Sequence, residues 1–256
     1  MSPLAYLEAG GGEQPVLLIH GNFAGKSWWR EVLAGPVPNA RLLAPDLPGF
    51  GESTGVRGFS PSMSRYAESL VRFLDGMGVR RPVLVGHSFG AAVAVELALT
   101  SPERFPAMLL LSPTPLDGLY TPEYLYPVLQ SYRFDWHGLR QSLQYVMSPC
   151  NPSYLDDLVD EARKMHPANF TGNARILAEW RVNGKARLYG GPVLVASGQR
   201  DNLISPYSAQ ATARAFHAGK YVSLGNVGHS PQIEAPEKVL SLLDVLLDLT
   251  EGDASL

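Results

Sequence analysis

A serine flanked by glycines is the feature that most constrains the fold of this chain. Gly86-His87-Ser88-Phe89-Gly90 lies between an apolar run at 82–85 and a run of small residues at 90–100. This order predicts a strand, a sharp turn and a helix, with the serine at the apex of the turn. The two glycines would let strand and helix pass close to each other without a Cβ clash. The serine hydroxyl is therefore expected to project above the edge of a sheet.

Further apolar runs predict the other strands of that sheet. Six runs are short and mainly apolar, and glycine or proline lies next to most of them, as expected of buried parallel strands: 16–19, 41–44, 83–85, 108–111, 193–196 and 221–224. Helical patterns separate most of them, at 63–76, 91–99, 206–216 and 236–249. This alternation predicts the α/β class, with a mostly parallel central sheet flanked by helices.

Residues 113–188 interrupt the alternation, because they contain no clear buried strand and are rich in aromatic side chains. We interpret them as a helical lid inserted into a core domain formed by residues 1–112 and 189–256. The lid is expected to cover the carboxyl edge of the sheet, where ligands bind in open α/β folds. Most of its aromatics are expected to fill the lid's own core. The side chains considered for substrate contact are Tyr120, Tyr124, Trp136 and Trp180, together with Trp28 of the core.

Two later loops supply the partners that a serine nucleophile needs. A serine hydroxyl reacts poorly at neutral pH unless a base takes its proton and an acid orients that base. Asp201 follows the run at 193–196 and His229 follows the run at 221–224, so both are expected at the same sheet edge as Ser88. The order serine, acid, histidine is that of α/β-hydrolases. Asp117 remains an alternative acid.

The loop after the first strand completes the predicted site. The backbone N–H groups of Asn22 and Phe89 are expected to form an oxyanion hole, with Phe23 replacing Asn22 if the loop is shifted by one residue. His20 and His87 either support the geometry of these loops or face the substrate.

With these motifs in place, the chain resembles the α/β-hydrolase superfamily, in its lid-bearing branch of small esterases, lactonases and carbon–carbon-bond hydrolases. The resemblance extends over nearly the whole length. It implies Ser88 as nucleophile, His229 as base and Asp201 as acid. Ala91 departs from the pattern, since many relatives carry a second glycine there. The motifs that carry the resemblance are 20–22, 46–53, 86–90, 198–201 and 228–230.

Composition excludes several other classes. A formal charge of −3 argues against a nucleic-acid-binding protein. Cys150 is the only cysteine, so no intrachain disulfide is expected. We see no signal peptide, no apolar run of about 20 residues and no metal-ligand spacing. The sequence thus predicts a cytoplasmic monomer or homodimer that acts on a small molecule without metal, cofactor, nucleic acid or membrane.

The predicted activity is serine-dependent hydrolysis of an ester, thioester or lactone of a small, largely apolar substrate, through an acyl-enzyme. A first alternative keeps the same three residues for carbon–carbon bond hydrolysis, perhydrolysis of the haloperoxidase type or a lyase reaction. A second alternative is a non-catalytic receptor on the same fold, since fold alone does not determine function.

Overall fold

Seven strands form one sheet in the structure, a computed structural model that describes residues 4–55, 60–147 and 149–252. They are β1 (Tyr6–Ala9), β2 (Gln14–Ile19), β3 (Ala40–Pro45), β4 (Val83–His87), β5 (Met108–Leu111), β6 (Val193–Ser197) and β7 (Gly219–Ser223). Their order in the sheet is β1-β3-β2-β4-β5-β6-β7. The pair β1–β3 is antiparallel and all other neighbouring pairs are parallel. The prediction of a mostly parallel sheet flanked by helices is confirmed.

Helices connect and cover these strands. They are α1 (Arg30–Ala34), α2 (Met63–Gly76), α3 (Phe89–Thr100), α4 (Tyr126–Ser131), α5 (Trp136–Val146), α6 (Leu155–Arg163), α7 (Asn169–Glu179), α8 (Pro206–Ala215), α9 (Pro231–Glu234) and α10 (Pro236–Gly252). Within the described ranges, none of them is both long and apolar enough to cross a membrane.

Each face of the sheet has its own hydrophobic core, which is why the central strands β2 to β6 contain buried apolar runs. Along β2, Leu17 and Ile19 pack towards α2, α3 and α8. Their neighbours Val16 and Leu18 point to the opposite face, towards α1 and α10.

The strand β1 was not predicted from the sequence. Its residues are mostly exposed, since it pairs with β3 only and forms one edge of the sheet. An edge strand that buries little apolar surface leaves no hydrophobic run to detect. The prediction of six strands was therefore one short.

The turn between β4 and α3 has the geometry expected from its glycines. Ser88 adopts φ 52° and ψ −113°, a strained backbone conformation for a residue with a side chain. A Cβ on Gly86 would lie 2.6 Å from Cα of Ala91, and one on Gly90 would overlap the carbonyl oxygens of Ile19 and His20. Only glycine lets α3 pass this close to β4 and β2.

The segment between β5 and β6 (residues 112–192, called here the connecting segment) carries α4, α5, α6 and α7. The inner side chains of α5 and α6 form a small separate core, which also includes Trp28. Helices are thus present where the sequence predicts a lid, whereas the bounds 113–188 as a separate domain stay a prediction.

We expect Gly90→Ala to lower the free energy of unfolding by about 3 kcal/mol, because the added methyl group overlaps backbone atoms that cannot move independently. Urea denaturation measures the change. The control is Gly76→Ala at the end of α2, where a Cβ meets nothing within 4 Å. This control should stay within about 0.5 kcal/mol of the wild type. Equal losses in the two variants would contradict the packing argument.

Candidate active site

Three side chains from separate loops form one chain of hydrogen bonds at the carboxyl edge of the sheet. Nε2 of His229 lies 3.0 Å from Oγ of Ser88. On the other side of the ring, Nδ1 lies 2.9 Å and 3.1 Å from the two carboxylate oxygens of Asp201. The structure therefore places Asp201, rather than the alternative Asp117, next to the histidine. This arrangement can transfer a proton from the serine hydroxyl to the imidazole.

The backbone N–H and carbonyl of Ser88 both form hydrogen bonds that fix its position. Its N–H donates to the carbonyl of Leu111 at 3.0 Å, and its carbonyl accepts from the N–H of Ala91 at 3.0 Å and from the hydroxyl of Thr114 at 3.2 Å. The residue is only 9% exposed. The strained turn is thus fastened on both sides, and its hydroxyl reaches His229 from a nearly buried position.

Asp201 is fixed as an ionised carboxylate. One oxygen accepts from the N–H groups of Leu203 and Ile204 at 2.9 Å and 2.8 Å. Burial acts to raise the pKa of Asp201, but the hydrogen bond and charge of His229 and these two N–H groups outweigh it and lower the pKa. The carboxylate therefore stays charged and favours an imidazole that carries its proton on Nδ1.

The loop that carries His229 is fastened through its backbone. The N–H of His229 donates to the carbonyl of Val146 at 2.9 Å, and its carbonyl accepts from Nε2 of His87 at 2.8 Å. The neighbouring N–H groups of Gly228 and Ser230 donate to the carboxylate of Glu234 at 2.6 Å and 2.8 Å. The position of the base is thus determined by four backbone hydrogen bonds.

His87 is a neutral support for this loop. Burial and the neighbouring His229 lower the pKa of His87 to about 3. Its ring stacks on Trp28, with centroids 6.3 Å apart, and lies 5.0 Å from the ring of His229. The hydrogen bond to the carbonyl of His229 requires the proton on Nε2. Of the two predicted roles, the geometry favours support of the loop over substrate contact.

The residues predicted as oxyanion donors flank Ser88. Phe89 is the first residue of α3, so its N–H has no partner within the helix. On the other side, a Cβ on Gly21 would lie 3.4 Å from Cβ of Ser88, which brings the loop with Asn22 against the serine. Phe23 has φ 51°, an uncommon conformation for a bulky residue. The assignment of the donors remains a prediction.

The chain matches the sequence model of the family described as alpha/beta hydrolase fold over residues 14–236. The chain belongs to the α/β-hydrolase family. The predicted resemblance is thereby confirmed.

Individual relatives of this hydrolase differ in the reaction that they are named for. A 2-hydroxy-6-oxononadienedioate/2-hydroxy-6-oxononatrienedioate hydrolase of Paraburkholderia phymatum is 26% identical over 261 residues, which cover 93% of this chain and 88% of the relative. The enol-lactonase from Burkholderia xenovorans LB400 shares the fold with a TM-score of 0.85, at 21% identity and 96% of each chain. A thermophilic esterase from Thermogutta terrifontis gives 0.78 at 24% identity, over 96% of this chain and 93% of that one.

His20 of the hydrolase is a structural residue. Its ring is fully buried, Nε2 accepts from the N–H of Leu47 at 3.0 Å, and Nδ1 donates to the carbonyl of Gly21 at 2.8 Å. Because backbone groups occupy both nitrogens, the side chain ties the loop after β2 to the turn after β3. Of the two predicted roles, this geometry favours support of the loops over substrate contact.

The aromatic residues considered for substrate contact differ in exposure and packing, and their contact with a substrate stays a prediction. Tyr120 and Tyr124 are each 74% exposed, so they contribute little to a buried pocket. Trp136 packs on the small core of α5 and α6 and donates to Asp160, and Trp180 is buried in the main core and donates to Glu96. The two tryptophans Trp136 and Trp180 thus stabilise the connecting segment, whereas Trp28 lies beside His87.

The structure also reveals polar residues that the sequence analysis missed. Glu234 binds the two N–H groups on either side of His229. Asn173, on α7, donates to Asn22 at 2.9 Å. For Glu234 the signal was an acidic residue soon after the histidine motif. Asn173 gives no signal, because its contact joins residues 151 positions apart.

Glu234 predicts how the stability of the hydrolase depends on pH. Burial raises the pKa of Glu234 from 4.5 to about 7, although the N–H groups of Ser230 and Gly228 act in the opposite direction. The folded state then binds more protons than the unfolded state between these values, so this group lowers the free energy of unfolding as pH rises from about 4.5 to 7. Glu234→Gln removes this contribution. The Tm of the wild type should therefore fall relative to that of Glu234→Gln as pH rises from 5 to 8.

Thermal unfolding across this pH range provides the measurement. Glu237→Gln, which removes an exposed carboxylate three residues further on, is the matched control. A wild-type Tm that stays constant or rises relative to that of Glu234→Gln as pH increases would contradict the assignment.

Proposed function

We propose that this α/β-hydrolase is a serine hydrolase that cleaves an ester, thioester or lactone of a small, largely apolar molecule through an acyl-enzyme. The observation that carries the proposal is the continuous hydrogen-bond chain from Ser88 through His229 to Asp201. A serine used only as a turn residue would need neither the base nor the acid. The proposal of catalysis is therefore favoured over that of a non-catalytic receptor.

The reaction follows from the atoms in place. Oγ of Ser88 attacks the carbonyl carbon while its proton passes to Nε2 of His229, and Asp201 stabilises the resulting imidazolium. The N–H groups of Asn22 and Phe89 stabilise the tetrahedral oxyanion. His229 then returns the proton to the departing alkoxide or thiolate, which leaves Ser88 acylated. Water attacks the acyl carbon, gives its proton to His229, and Ser88 leaves with that proton.

The proposal of an apolar acyl group rests on the side chains beside the loop that follows β2 and carries Asn22 and Phe23, called here the oxyanion loop. Phe23 makes edge-to-face contacts with Tyr132 and Phe170, at centroid distances of 5.7 Å and 5.8 Å. Next to Ser88 in the chain, His87 packs against Trp28. Aromatic surface of this kind favours apolar groups with few polar contacts.

Carbon–carbon bond hydrolysis is the second candidate. It is favoured by the relative from Paraburkholderia phymatum, which matches 93% of this chain and is named for a hydrolase of oxo-dienedioates. That name describes a substrate with two carboxylates, which the aromatic surroundings of Phe23 do not favour. The same serine and base would serve either reaction, so the substrate decides between them.

We expect Ser88→Ala to lower kcat/KM for p-nitrophenyl esters by about 10⁴-fold or more and to abolish labelling by a fluorophosphonate probe. Mass spectrometry locates the label and absorbance follows the turnover. The control is Ser64→Ala, an exposed serine on α2, which should retain both. Substantial turnover by Ser88→Ala would overturn the mechanism.

A substrate panel separates the candidate reactions. We expect p-nitrophenyl esters of about two to eight acyl carbons to be turned over faster than a 2-hydroxy-6-oxo-dienoate, because the site offers aromatic contacts. Preference for the dienoate would move the assignment to carbon–carbon cleavage. Labelling of Ser88 without turnover of any panel member would instead favour a binding protein.

A further inference from the structure

Three polar side chains from three separate elements form a relay behind the oxyanion loop. The hydroxyl of Tyr66, on α2, donates to Oδ1 of Asn173, on α7, at 2.7 Å. Nδ2 of Asn173 in turn donates to Oδ1 of Asn22 at 2.9 Å. The relay thus connects the core and the connecting segment to the loop that follows β2.

Two of the three side chains in the relay are fully buried, and Asn22 is half-buried, so the hydrogen bonds are shielded from water. Tyr66 and Asn173 are 0% exposed. Burial raises the pKa of Tyr66 well above its ordinary value, so the phenol keeps its proton and remains a donor. A buried amide without partners is costly, so these two hydrogen bonds hold the Asn173 side chain between Tyr66 and Asn22.

The relay contacts both sides of the predicted oxyanion hole. On one side it ends on the side chain of Asn22. On the other side the ring of Tyr66 packs edge-to-face on Phe89, with centroids 5.1 Å apart. Phe23, directly after Asn22, holds a positive φ, and a strained residue of this kind persists only where its surroundings fix it.

We propose that Asn173 is a positioning residue of the hydrolase, which holds the Asn22 loop so that its backbone N–H points at the oxyanion formed on Ser88. The inference rests on the proposed function, since it concerns the same site. Without Asn173 the strained loop relaxes, and a donor displaced by about 1 Å can lose much of its effect on the transition state. Binding of the uncharged substrate needs this N–H far less.

The same helix provides a matched control. Asn169 lies one turn earlier on α7 and is also 0% exposed. Its Nδ2 donates to the carbonyls of Pro48 and Gly49, at 3.3 Å and 3.2 Å, rather than to the oxyanion loop. Loss of Asn169 therefore weakens the docking of α7 without releasing Asn22.

The experiment compares Asn173→Ala with Asn169→Ala. For the best ester of the panel, Asn173→Ala should lower kcat by about 10- to 100-fold with KM within about 3-fold, whereas Asn169→Ala should change kcat by less than about 3-fold. Both should lose similar amounts of Tm.

A second readout is the inhibition constant for phenylboronic acid. Boron accepts an electron pair from Oγ of Ser88, the hydroxyl proton passes to His229, and the anionic adduct places an oxygen in the oxyanion hole. Its affinity should fall in parallel with kcat only in Asn173→Ala. Equal effects on kcat in the two asparagine variants, or a change confined to KM, would overturn the inference.

Tyr66→Phe keeps the proposal testable if the alanine variants fail to fold, because it removes one oxygen and keeps the ring contact with Phe89. It should lower kcat and boronate affinity by about 2- to 10-fold. Unchanged values would overturn the inference while leaving the proposed function intact. A wild type that neither turns over esters nor labels at Ser88 would overturn both.

Discussion

The close passage of β4 and α3 at Ser88 is the constraint on which the rest of the site depends. Gly86 and Gly90 permit it, because any larger residue would overlap the backbone of the facing element. Ser88 adopts a strained backbone conformation in this turn. The hydrogen bonds of its backbone N–H and carbonyl offset the strain. Once the serine is fixed there, the acid and the base must reach it from the ends of β6 and β7.

The loop that carries His229 is held in place by hydrogen bonds to its backbone rather than to the imidazole ring. Val146, His87 and Glu234 each bind a main-chain group at or next to His229. The imidazole is then free to use both of its nitrogens, one towards Asp201 and one towards Ser88. A loop that was held through the ring itself would have lost one of these two contacts.

The positions at which Ser88, Asp201 and His229 meet could be predicted from sequence because each follows a strand of the sheet. Ser88, Asp201 and His229 follow apolar runs, and parallel topology brings the ends of such runs together. The edge strand β1 lacks that signal, since it buries little. Contacts such as that between Asn173 and Asn22 depend on how α7 docks, which no local pattern encodes. The exposure of Tyr120 and Tyr124 could not be predicted either, because composition does not tell which way a side chain faces.

The carbonyl of Val146, at the end of α5, accepts the N–H of His229, which limits how far the connecting segment can be shortened. Deleting the helices between β5 and β6 to obtain a wide-open variant would leave the N–H of His229 without its acceptor and Asn22 without Asn173. The truncated protein would therefore lose contacts that position the candidate active site, and would not simply have a more open site. Changes of length or fused sequences are better placed in the exposed stretch around Tyr120 and Tyr124, well before α5 begins.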